Sequence, residues 1–192
     1  MEGETAERLR KAVEATVKAV SLLSDELEPW RSAMVELAEA GVHLFSAGFF
    51  LQAAFSIRLA LESAVQLHYF LWQAPKQRVS AHDLLEKWSR RGRAFTLKMV
   101  RSVPGIPGVY RKQLAKTYVK LAHLTHPSLQ ALKAAVTGDE PSGIGELLVD
   151  ALDFIAYLTL HHSQLIAVRE IYEKAVAAGM KRSSRYWARR LS

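Results

Sequence analysis

A few residue groups in this sequence have the types and spacing for chemistry. Arg58 and Glu62 stand four apart in the most apolar stretch of the chain, which sets them on one helical face within ion-pair reach. Two readings fit: a pair that satisfies itself inside the fold, as a buried charge requires, or the polar wall of a cleft. His68, later in the same stretch, reads as a hydrogen-bonded, partly buried histidine. His123 and His126 are three apart and can share a face, but neither has a carboxylate three or four positions away, so no metal is expected. His161 and His162 are adjacent and point about 100° apart on a helix, too divergent to clamp one ion, so His162 joins a packed stripe.

Two runs mix cations with flat rings. One holds Lys87, Trp88, Arg90, Arg91 and Arg93; the other holds Arg185, Trp187, Arg189 and Arg190. Cations meet phosphates and rings stack on unpaired bases, so these residues would suit single-stranded nucleic acid. Trp88 and Trp187 fit equally well as the apolar sides of amphipathic helices packed on the body of the protein. Other chemistries are excluded or disfavoured. The chain has no cysteine, hence no disulfide, thiolate metal site or cysteine nucleophile. No glycines flank a serine as in a nucleophile elbow, no glycine-rich phosphate loop is present, and no cofactor is implied.

The elements that must position these groups are helical, because apolar residues recur at helical spacing and no run alternates as a strand would. The fold class is all-α. Leu9, Val13, Val17 and Val20 mark a first helix over 5–23, with Ser24 and Asp25 as capping candidates for the next. A second helix, with Pro29 in its first turn, runs to Gly48, and a third, central one covers 49–73 and ends at Pro75. Ser80 caps a basic region, 81–102, that Gly92 divides into two short helices. Pro104 to Gly108 form a loop, followed by a helix from Val109 to Thr125 and a short one over 128–136. A last long helix, capped by Ser142, stops at Gly179. One domain over 1–180 and a basic C-terminal appendix over 181–192 result. The longest uncharged start within the third helix, Phe49 to Ile57, is too short to span a bilayer, and no signal-peptide pattern precedes it, so a soluble, cytoplasmic protein is expected. The absence of both cysteine and asparagine fits a thermophile.

Charge is unevenly placed. Residues 76–120 hold 12 basic and 2 acidic groups and residues 181–192 hold 5 basic and none acidic, while the stretches 1–75 and 121–180 are each net −4. Such segregation suits an anionic partner. The expected function is therefore binding of RNA or another polyanion through segments 76–120 and 181–192; a module steered by charge to an acidic protein is the plainer alternative.

Two local patterns carry a resemblance: Arg58-Leu59-Ala60-Leu61-Glu62 in the apolar helix, and Tyr118 through Leu124-Thr125-His126-Pro127-Ser128 at a helix end. With the helical order over about residues 30–175 they resemble the HEPN superfamily, in its divergent prokaryotic branches. The resemblance implies an up-and-down helical bundle of four to five core helices with short accessory helices, pairing as a homodimer. In active members it implies a metal-independent ribonuclease of the toxin or defence kind. His126 matches the motif histidine, the proton carrier. The motif arginine does not carry over: Leu121 stands five positions before His126, and Lys120 is the nearest cation, a point charge without the guanidinium fork. Arg58 could supply the missing cation from the neighbouring helix.

Overall fold

The computed structural model describes residues 2–90, 97–125, 141–162 and 169–191. Among these residues every regular element is a helix: α1 (Glu2–Ser21), α2 (Glu28–Ser46), α3 (Phe50–Gln77), α4 (Ala81–Arg90), α5 (Leu97–Arg101), α6 (Gly108–Thr125), α7 (Ile144–Leu160), α8 (Arg169–Ala177) and α9 (Lys181–Leu191), with one 3₁₀ turn at Asp25–Leu27. Helices α1, α2, α3, α6 and α7 enclose the core. Contacts between them fix their directions. Tyr118 and Thr125 of α6 meet Glu62 and Arg58 of α3 in reversed order, so these two helices are antiparallel. Thr5 lies against Gly145, and Thr16 donates to the Leu152 carbonyl at 3.2 Å, so α1 and α7 run the same way. The chain therefore goes up and down through the bundle.

Local signals account for several helix ends. Pro29 sits in the first turn of α2, where its missing N–H is no loss. The turn from α2 to α3 depends on Gly48 at φ +82°, a conformation that costs glycine nothing, and Phe49 N–H closes it on the Leu44 carbonyl at 2.8 Å. Ser80 Oγ accepts the Asp83 N–H at 3.0 Å, the expected cap of α4.

Some expectations are corrected. Pro75 does not end α3. It sits in the last turn, where it forfeits a single backbone bond, and the helix stops three residues later at Arg78 in the left-handed region, φ 54°. The most enclosed helix is α7 rather than α3: all residues from Ala151 to Leu160 are buried, whereas Phe55 on α3 is half exposed. The reason is placement, since α1, α3, α6 and α9 all pack on α7. At its start Gly143, not Ser142, takes the cap position. The last long helix is described as two, α7 and α8, with 163–168 outside the described residues; the predicted helix 128–136 and Gly92 also lie outside them.

The C-terminal segment is no appendix. Helix α9 lies on α7 with Trp187 fully buried, and its first turn is pinned from across the fold. Asp153, 1% exposed, accepts Arg182 N–H (2.9 Å) and Nη1 (3.0 Å) on one oxygen, and Ser183 N–H (2.9 Å) and Oγ (2.5 Å) on the other. A carboxylate from another helix thus does the work of an N-cap. No described helix is long and apolar enough to cross a membrane.

Candidate functional site

Helices α6 and α9 contain no acidic residue. The first carries Arg111, Lys112, Lys116 and Lys120, the second Lys181, Arg182, Arg185, Arg189 and Arg190. Both pack on α7, and Gln113 of α6 bridges them by accepting Arg182 Nη2 at 3.1 Å. A groove of about 260 Å³ opens between α6 and the first half of α7, with Lys116 and Lys120 on one bank, Glu146 and Asp150 on the other, and Arg182 at its end. A second groove of about 250 Å³, lined by Lys120, His123 and Ser142 among others, continues from it.

The carboxylates in the groove are already engaged. Arg182 Nη1 lies 3.1 Å from Asp150, and Arg8 forms a two-pronged pair with Glu146. Arg182 is itself held by Asp150, Asp153 and Gln113, and its guanidinium lies 3.8 Å from the centre of the Phe154 ring. Lys112, Lys116 and Lys120 are exposed and form no ion pair with another described residue. Among the described residues, the groove therefore presents lysines without an ion-pair partner beside carboxylates already held by arginines.

Arg58 stands elsewhere. Its Nε lies 2.8 Å from Glu62, Nη1 is 2.5 Å from Thr125 Oγ1, and its guanidinium sits 5.4 Å from the centre of the Tyr118 ring. Tyr118 completes the cluster by donating to Glu62 at 3.0 Å. Burial is the largest influence on Arg58 and opposes its charge, but the bond to Glu62, the Glu62 charge and Tyr118 together outweigh it and hold the guanidinium above its ordinary value; burial, reinforced by the Glu62 charge, also pushes Tyr118 up. The expected ion pair is present. Arg58 and Lys120 do not converge: Arg58 sits in the α3–α6 seam, whereas Lys120 lines grooves that no α3 residue enters. Side chains on opposite flanks of α6 cannot serve one reacting atom. His126 lies outside the described residues.

Of the cation and ring residues, Lys87 is exposed on α4 and Arg90 is paired with Glu86. Arg185 and Arg189 are exposed. Trp187 corrects the stacking expectation, because a fully buried indole offers no face to a base. Arg91 and Arg93, with the side chains of Trp88 and Arg190, lie outside the described residues.

Sequence reasoning missed three features. One is the lysine row of α6, which the absence of any acid over 108–125 could have revealed. Another is the Asp153 anchor. The third is a histidine pair: His68 Nε2 lies 2.9 Å from the Pro104 carbonyl, and its Nδ1 lies 3.3 Å from the Leu158 carbonyl and 2.9 Å from His162 Nε2. Burial, with the neighbouring imidazoles, pushes His162 down to about 3, and burial lowers His68 as well. Both rings are neutral and structural here.

Compared with known proteins, the chain matches no family model, no curated protein and no solved structure.

Proposed function

We propose that this protein binds RNA or another polyanion along the groove that α6 and α9 flank. One observation carries the reading: the two basic segments, far apart in the chain, supply acid-free helices that both pack on α7, where Lys116 and Lys120 form no ion pair with another described residue and the carboxylates opposite them, Glu146 and Asp150, are paired with arginines. Like charges four apart on one helix repel, so such a row is unfavourable until an anion arrives. Neutralising it releases counterions from the ligand, which makes binding strongly salt-dependent. The test is anisotropy of a labelled single-stranded RNA across a salt series. Affinity should fall steeply with salt, and Lys116→Ala with Lys120→Ala should reduce the log–log slope by about 1.4. Binding that ignores salt, or none at low salt, rejects the reading.

A second reading has its own observation. Arg58 donates to Thr125, the residue before His126, so the cation of an HEPN-like ribonuclease would come from α3 and not from Lys120. Homodimer formation belongs to this reading. RNA incubated in chelator with wild type, His126→Ala and Arg58→Ala tests it: cleavage lost in both variants supports a metal-independent nuclease, and equal cleavage by all three rejects it.

A further inference from the structure

Resting on the first of these readings, we infer that the groove takes one strand of nucleic acid by its phosphates alone. Lys112, Lys116 and Lys120 meet successive phosphates, and no base is stacked or read. The register comes from the helix. Three lysines at four-residue intervals stand about 6 Å apart along the axis, close to the stride from one phosphate to the next along a strand. Lys116 and Lys120 line the groove, exposed Lys112 prolongs their row, and Arg185 and Lys181 of α9 are exposed and form no ion pair with another described residue. The cleft, about 260 Å³, is far smaller than a paired helix, which could meet the lysines only from outside it, whereas a single strand can lay its backbone between the banks.

What the groove lacks matters as much. Base stacking needs an open aromatic face, and among the described residues neither groove is lined by a phenylalanine, tyrosine or tryptophan. Trp187 and Tyr157 are buried, and half-buried Tyr110 and Tyr186 pack edge-on against Tyr157 at 5.4 Å and 6.0 Å between ring centres and line neither groove. The large exposed aromatics among the described residues, Phe49, Phe55 and Trp72, stand on α3 or the turn before it, and α3 lines neither groove. The amide that lines the groove, Gln113, has its oxygen taken twice by Arg182, so it cannot offer the paired acceptor and donor that bidentate reading of a base needs. Lysine ammonium groups, as point charges, carry no sequence preference.

The experiment uses the full chain and strands of equal length: a mixed sequence, a homopolymer, an abasic phosphodiester strand and a duplex, with heparin as a non-nucleic polyanion. The abasic strand should bind within about twofold of the base-bearing ones, since a stacked base would alone contribute about tenfold. The duplex should bind more weakly. Replacing Lys112, Lys116 and Lys120 together by glutamine should lower the salt slope by about 2 while the helical circular dichroism is unchanged. An abasic strand more than tenfold weaker, or a duplex that binds more tightly, overturns this inference and leaves polyanion binding standing. Heparin bound with every strand refused does the same. If nothing anionic binds at low salt, both readings fall.

Discussion

Asp153→Ala is the substitution that most directly tests how the C-terminal helix is held. Asp153 is essentially inaccessible, and its two oxygens accept four bonds from the first turn of α9. Breaking a buried ion pair by removing one partner costs about 3–5 kcal/mol. Here Asp150 stays within 3.1 Å of the Arg182 guanidinium, so the lower part of that range applies. The lost cap adds about 1 kcal/mol. The total is about 4 kcal/mol, or about 8–16 °C in the unfolding midpoint for a chain of this size.

Thermal and urea unfolding measure this loss directly, and limited proteolysis should show early cleavage near residue 180 as α9 comes free. The double variant Asp153→Ala with Arg182→Met separates causes. If the penalty comes from an uncompensated buried charge, removing that charge should restore most of the stability. A loss below about 1 kcal/mol for Asp153→Ala, with the protease pattern unchanged, refutes the anchor.

Three further outcomes follow from the same packing. The folded values of His68 and His162 lie below the ordinary 6.5, so as pH falls through 6.5 the unfolded chain takes up protons that the fold refuses. Stability should be constant above that point and drop below it by up to about 1.4 kcal/mol per pH unit for each ring, and His162→Phe should flatten the drop between pH 6.5 and 5; a flat wild-type profile there contradicts it. Gly41→Ala should destabilise in urea titration despite the better helix propensity of alanine, because the new Cβ would stand 2.4 Å from Ile57 Cγ1, an overpacking cost of about 1–3 kcal/mol; a stabilised variant contradicts the close α2–α3 contact. Glu62→Ala should cost about 1–3 kcal/mol by leaving half-buried Arg58 and the Tyr118 hydroxyl without their acceptor, and an unchanged denaturation midpoint would show that pair to be idle.

What could be read from the sequence was what local chemistry decides. Pro29, Gly48, Ser80 and the loop from Pro104 to Gly108 each act within a few residues, and each stands where the pattern placed it. The Arg58–Glu62 pair is local too, one helical turn apart. Its further partners Tyr118 and Thr125 are not, and neither is the contact of His68 with His162, which needs α3 and α7 side by side. Pro75 shows the limit of a local rule: a breaker in the last turn removes one bond from a helix that packing already holds. In α9 the five cations hid the apolar side, because Trp187 and half-buried Tyr186 are the large rings in a helix that otherwise looks solvated.

The two roles of α9 decide how its charge can be studied. Trp187 and Arg182 face inward and fasten the helix to α7, while Lys181 and Arg185 are exposed. Deleting 181–191 would strip the cover from α7 and leave Asp153 buried without its donors, so any loss of polyanion binding would report a damaged bundle. Lys181→Gln with Arg185→Gln removes charge from the outer face alone. If these cations flank the bound strand, the pair should lower the salt slope by up to about 1.4 while the unfolding midpoint stays in place. A slope that does not change confines the contact to α6, and α9 then serves only to hold Gln113 and α7 in position.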